Sequence, residues 1–178
     1  SPEALQPTAP SSSISDNALG ALHPIAPPKT VKEAKCILES HKPPAAYTRT
    51  NIRNPGDRVP LSQYFGATMS RNGIGISITC YRFALNLSAL HNLAGSRPGN
   101  PPYLGIQYNR CEYLPVHHDS RNEGLSWITS FGDYEGGRFW LEEPGCLDPP
   151  PEAKNEEESS LRGNFYNLNG VWKRFDGR

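Results

Sequence analysis

From residue 73 the chain alternates apolar and small or polar positions: Ile74, Ile76, Ile78 and Cys80 are separated by Gly75, Ser77 and Thr79. Successive side chains of a strand point to opposite faces, so this period of two predicts a core strand with one buried face. The period then lengthens. Phe83, Leu87, Leu90 and Leu93 recur three or four residues apart, which predicts a helix over 81–93 that Gly95-Ser96-Arg97-Pro98-Gly99 stops. An earlier helix is predicted to start at Thr30, whose hydroxyl caps it while Glu33 completes a capping box. Val31, Ala34, Ile37 and Leu38 form its apolar face, and Pro43-Pro44 ends it. A turn-rich stretch follows, punctuated by Asn54-Pro55-Gly56-Asp57. Short strands are then predicted at 104–108, 116–119, 125–131, 138–142 and 164–168, with another beginning at 172–175. Gly, Pro, Asn and Asp separate them, the spacing of a β-sandwich or barrel.

Two segments break this pattern. Residues 1–29 hold only three charged residues (Glu3, Asp16 and Lys29) and are rich in Pro, Ser and Ala, too little apolar surface to offset the entropy of ordering. They are expected to form a tail or a surface arm on a single domain spanning 30–178. Within that domain, residues 144–163 carry Pro149-Pro150-Pro151 and Glu156-Glu157-Glu158 and are expected to be a solvated acidic loop inserted between two strands.

The 178 residues hold 18 basic and 18 acidic side chains, so no global field draws in nucleic acid or an anionic membrane. No apolar run approaches the ~18 residues of a membrane helix. The expectation is a soluble chain, cytoplasmic by default, with compartment and oligomeric state unassigned. The start at Ser1 rather than Met leaves the question of a leader open. Cys36, Cys80, Cys111 and Cys146 are scattered with no zinc-like spacing and read as buried free thiols.

The block with chemical content is Val116-His117-His118-Asp119-Ser120-Arg121-Asn122-Glu123-Gly124-Leu125-Ser126. On an extended strand residues i and i+2 share a face, so His117 and Asp119 present an imidazole and a carboxylate to one point. That is two thirds of a 2-His-1-carboxylate facial triad, whose open positions serve Fe(II) oxygenases. His118 faces the other way. Without context the favoured reading of the pair is a surface histidine beside an aspartate. Further on, Gly132-Asp133-Tyr134-Glu135-Gly136-Gly137 predicts a tight turn between strands in which glycines supply positive φ, with Asp133 and Glu135 as turn acids. Trp127, Trp140 and Trp172 are expected to be core or rim aromatics.

Taken in order, Leu104-Gly105-Ile106-Gln107-Tyr108-Asn109-Arg110, then His117-His118-Asp119 with Asn122, Gly124 and Ser126, then Phe131-Gly132-Asp133-Tyr134-Glu135-Gly136-Gly137-Arg138-Phe139-Trp140 resemble a known pattern. It is that of the iron(II)/2-oxoglutarate dioxygenase-like proteins abundant in unicellular algae: an asparagine strand, H-x-D-x-x-N-x-G-x-S, and G-D-[YF]-x-G-G-x-[LF]-W. The resemblance runs from about Arg71 to the end of the chain. It implies a mainly β (α+β) fold, a double-stranded β-helix or jelly-roll core with flanking helices. It implies Fe(II) and the co-substrate 2-oxoglutarate, with His117 and Asp119 as metal ligands. Asn109 and Tyr108 would line the 2-oxoglutarate pocket, and Asn122 and Ser126 would hold the ligand turn. No catalytic residue beyond the metal ligands is implied.

The distal half of the site departs from the pattern. No histidine follows His118; His23, His41 and His91 lie upstream. Trp172-Lys173-Arg174-Phe175-Asp176-Gly177-Arg178 resembles the family segment W-x-x-F-D-G-[RN]-x-P-H, whose last residue is the distal ligand, and the sequence stops at Arg178. The arginine that pairs with the 2-oxoglutarate carboxylate would lie on a strand beyond. Asp176 and Glu142 match no family ligand position, and Arg138, Arg174 and Arg178 read as solvated cations. A longer gene product is the favoured expectation; the other is a complete pseudoenzyme. The activity expected is oxidation of a C–H bond of a protein side chain or small molecule. A nucleic-acid substrate is disfavoured by the neutral charge unless Arg71, Arg97, Arg110 and Arg121 gather in space. The alternative is a non-catalytic β-sandwich binding module that uses the Pro-rich arm and acidic loop. A hydrolase has no G-x-S-x-G or H-E-x-x-H to support it.

Overall fold

Local capping starts the ordered chain as the sequence predicts. In the computed structural model, which describes residues 26–46, 59–110, 114, 116–119, 124–151, 153 and 155–177, α1 spans Val31–Ser40. Thr30 Oγ1 accepts the Glu33 N–H at 3.2 Å, while the Glu33 carboxylate accepts the Lys29 N–H at 2.7 Å, one residue outside the usual box. Ala34 and Leu38 are fully buried. They pack toward α3 (Ala84–Gly95), which buries Ala89, Leu90, Leu93 and Ala94.

Beneath these helices lies a three-stranded antiparallel sheet of order β2-β1-β3, made of β1 (Leu61–Ser70), β2 (Gly73–Ile76) and β3 (Gly105–Arg110). Its register sets Phe65 opposite Ile106 and Gln63 opposite Tyr108 on one face, and Ser62 opposite Asn109 and Tyr64 opposite Gln107 on the other. Phe65 and Tyr108 join Leu38, Leu90 and Leu93 in a single core cluster. The opposite face is polar: the Ser62 hydroxyl donates to Asn109 Oδ1 at 2.6 Å and accepts from Gln107 Nε2 at 2.7 Å.

The predicted core strand over 73–80 is corrected on two counts. Only Gly73–Ile76 is strand, and it faces solvent, with Ile74 78% and Ile76 54% exposed. It pairs with the far end of β1, Ala67 opposite Ile76 and Met69 opposite Ile74, beyond the buried part of that strand. At Ser77 the chain turns into α2 (Ile78–Arg82), which buries Cys80. A break at Phe83 (φ −127°, ψ 50°) then separates α2 from α3, so the single helix expected over 81–93 is two.

The second half forms two small antiparallel pairs. β4 (Ser126–Ile128) pairs with β7 (Lys173–Phe175), and β5 (Phe139–Glu142) pairs with β6 (Gly163–Tyr166). The turn between β4 and β5 uses positive φ at Gly132, Gly136 and Gly137 as predicted, yet it joins strands of different pairs. The acidic insertion is more than a loop, since it carries the single helical turn α4 (Glu156–Ser160), capped where Asn155 Oδ1 accepts the Glu158 N–H at 2.8 Å. Residues 116–119, expected as strand, have no regular secondary structure. With helix and strand at about 25% and 29%, the fold is mixed rather than mainly β, and among the described residues no barrel closes.

Several other expectations are settled by contacts. Arg97 is buried, donating from Nε to Ala94 O and from Nη2 to Pro101 O, and Arg110 donates to Glu39 O and His41 O. Each of these two arginines donates to the carbonyl end of a helix; Arg121 lies outside the described residues. Cys80 is buried as expected, whereas Cys36 is exposed and Cys146 partly so; all three are free thiols, and Cys111 lies outside. Trp172 packs against the core and donates from Nε1 to Ser96 Oγ at 3.1 Å. Among the described residues no helix is long and apolar enough to cross a membrane.

One polar cluster ties the strands of the two pairs together. Glu143 accepts the Tyr166 hydroxyl at 2.5 Å and the Lys173 ammonium at 3.2 Å, and that ammonium sits 3.6 Å from the Tyr166 ring centroid. The Tyr166 hydrogen bond, aided by Lys173, holds the Glu143 carboxyl below its ordinary value of 4.5. A depressed carboxyl contributes stability that is fully present above the unfolded value and lost as pH falls through the folded one. Thermal melts should therefore show the wild type losing stability more steeply below about pH 4.5 than Glu143→Gln; equal slopes would contradict the contact.

Candidate metal centre

The chain leaving β7 sets the position of the H-x-D segment. β4 holds β7 through the Ser126/Phe175 and Trp127/Arg174 pairs, and two residues on Gly177 O accepts the Asp119 N–H at 2.7 Å. That bond anchors the backbone of Asp119. Its Oδ1 stands 3.9 Å from His117 Nε2, with the His117 side chain 23% and the Asp119 side chain 42% exposed. His118 diverges, its Nε2 lying 3.9 Å from Glu142 Oε2 on β5. His117 and Asp119 thus share a side even though the segment is not a strand.

The donor chemistry suits a divalent ion. Ligand distances of about 2.0–2.2 Å put adjacent donors on one ion roughly 3 Å apart, so a sub-ångström closure from 3.9 Å would seat both. An imidazole and a carboxylate form two members of the facial set. Among the described residues no group of three His, Cys, Asp or Glu side chains is placed to hold a metal ion, so the third member is not found there. Glu142 is drawn to His118, away from the pair.

Other proposed site residues divide. Tyr108 and Asn109 are neighbours on β3 and point to opposite faces, so they do not line one pocket together. Asn109 is on the polar face, where it accepts from Ser62. Tyr108 is buried in the core, donates its hydroxyl to Leu38 O at 2.7 Å, and stacks with His41 and Phe131. Burial pushes its phenol up from 10.0. Through the Leu38 carbonyl, Tyr108 holds the end of α1. Tyr108→Phe should cost about 1 kcal/mol in urea unfolding, a typical net hydrogen bond, and an unchanged midpoint would contradict that contact. Ser126 aligns β7, and Asn122 lies outside the described residues.

A cleft of about 390 Å³ opens beside the pair. Val116, His117 and His118 form one wall, and Asn155, Glu157, Glu158 and Leu161, from the start, body and end of α4, form the other. The glutamate run is evident in the sequence; its place opposite His117 is not. Comparison with protein-family models, with curated proteins and with solved structures gave no match to this chain.

Proposed function

We propose that this chain is an Fe(II)/2-oxoglutarate-dependent oxygenase-like domain of the double-stranded β-helix type, acting on a C–H bond of a protein side chain or small molecule. The observation that carries the reading is the convergence of His117 Nε2 and Asp119 Oδ1 at 3.9 Å, with His118 turned away. The ordered match of the asparagine strand, H-x-D-x-x-N-x-G-x-S and G-D-[YF]-x-G-G-x-[LF]-W motifs supports it. So does the placing of the helices on one face of the β2-β1-β3 sheet, which leaves Asn109 on the other.

His117 and Asp119 would hold the iron, and the Gly177 carbonyl fixes the Asp119 backbone. Bound Fe(II) with 2-oxoglutarate supplies the activation of dioxygen for C–H oxidation. A distal ligand following Gly177 in the chain would set out from beside Asp119.

Anaerobic equilibrium dialysis tests the site. The wild type should retain Fe(II), and His117→Ala and Asp119→Ala should each weaken retention about tenfold or more, on the order of losses already seen for residues that merely support metal ligands. Unchanged retention in both variants would remove the assignment. The second reading, a non-catalytic binding module, is favoured by the lack of a third donor among the described residues, and it predicts no metal-dependent turnover.

A further inference from the structure

β2 is an outer strand of the β2-β1-β3 sheet, and its far side is open. The Ser77 N–H donates to Gly66 O at 2.9 Å, toward β1. Backbone groups of successive strand residues point to alternate sides, so Gly75 and Gly73 also turn theirs toward β1, in register with Thr68 and Ser70. Ile74 and Ile76 therefore turn both N–H and C=O outward, and among the described residues nothing bonds them there. Such a row of unpaired donors and acceptors is a template for a further strand.

The side chains of the same strand are uncovered as well. Ile74 lies opposite Met69 and shares its face with Ile76, and all three are exposed. Ile78 and Tyr81 on α2 are exposed too. Arg71 at the hairpin turn and Arg82 at the close of α2 flank this apolar run; both are exposed and, among the described residues, make no ion pair. Residues 58–111 contain five arginines and no Asp or Glu, so the surrounding sequence offers no carboxylate to neutralise them.

We infer that the open edge of β2 takes up an extended, acidic segment of another protein as an added strand. Main-chain bonds to Ile74 and Ile76 supply the pairing, alternate apolar side chains lie against Met69, Ile74 and Ile76, and carboxylates meet Arg71 and Arg82. A second copy of this chain fits the edge less well, because pairing through β2 would set the arginines of both copies together. A lipid surface fits it less well too, since the outward N–H and C=O groups find no partner in hydrocarbon. None of these residues belongs to the His117 and Asp119 pair, so the inference stands apart from the metal reading.

The probe is the blocked peptide Asp-Val-Thr-Val-Thr-Val-Asp, titrated against the 178-residue chain and followed by hydrogen exchange at the Ile74 and Ile76 amides. Binding should slow exchange at both, and the version with Lys at each end should bind at least about threefold more weakly, the scale of exposed charge contacts. N-methylation of the valines or of the threonines should abolish binding in one case and spare it in the other, because only alternate residues bond across one edge. Arg71→Glu/Arg82→Glu should reverse the preference between the two peptides. Ile74→Thr/Ile76→Thr, at exposed strand positions that Thr suits, should weaken binding roughly tenfold. No binding of either peptide, equal binding of both, unprotected amides, or equal effects of the two methylation patterns would overturn the inference. So would protection of the two amides that rises with protein concentration in the absence of peptide, which assigns the edge to a second copy. Capture by phosphatidylserine vesicles without peptide binding would overturn it as well, in favour of a membrane.

Discussion

Phe65→Ala should lower the unfolding free energy by about 3–5 kcal/mol, a large share of the 5–15 kcal/mol that holds a typical domain together. Phe65 is 1% exposed and sits on the helix-covered face of β1, opposite Ile106 and in the same cluster as Leu38, Leu90 and Tyr108. Its strand is paired with β3 at this level, and residues of α1 and α3 pack in the same cluster. Those elements cannot collapse far into the space it leaves, so the cavity term adds to the lost transfer energy. Urea denaturation measures this: the midpoint should fall by roughly 1–3 M with little change in slope. A loss below about 1 kcal/mol would mean that Phe65 is not in the core.

Gly66→Ala is expected to approach the same cost for a different reason. At Gly66 the pairing of β1 passes from β3 to β2, and φ is +145°, a conformation that L residues rarely adopt. A Cβ there would lie 2.4 Å from both Gly105 Cα and Leu104 O, and both obstacles are backbone. Strain of about 1–3 kcal/mol adds to an overpacking cost of similar size. Gly75→Ala is the internal comparison, because its Cβ would meet only Thr68 Oγ1 at 3.8 Å. Its unfolding free energy should remain within about 0.5 kcal/mol of wild type, and equal losses at both positions would contradict the register of this sheet.

What could be read from the sequence was whatever local interactions decide. α1 follows from Thr30, Glu33 and an apolar face within one decapeptide, and the apolar spacing of α3 is equally local. β1 was invisible because Ser62 and Gln63 are adjacent, polar and both 6% exposed. Their partners, His41 for Gln63 and Asn109 and Gln107 for Ser62, lie 22 to 47 residues away, so no local period records their burial. β2 shows the converse: Ile74 and Ile76 alternate as a buried strand does, and the ground they face is left uncovered. A period of two says which residues share a face, never what lies over it.

The candidate site divides along the same line. That His117 and Asp119 share a side follows from their spacing, and the structure keeps it without a strand. The Gly177 contact joins residues 58 apart, and the approach of α4 to His117 crosses about 40, so neither has a local signature. The motif match takes Tyr108 and Asn109 together, while the pleat sends these neighbours to opposite faces of β3.

The most direct test of the central proposal is an anaerobic titration with Fe(II) and then 2-oxoglutarate, followed by the weak visible charge-transfer band of a chelated keto acid. It is run on the 178-residue chain and on the chain carried through any coding residues that follow Arg178. The proposal predicts a band that disappears in both His117→Ala and Asp119→Ala. A band that survives both substitutions, or no band in any form of the protein, would contradict it and leave a binding scaffold in which His117 and Asp119 are neighbours without a metal role.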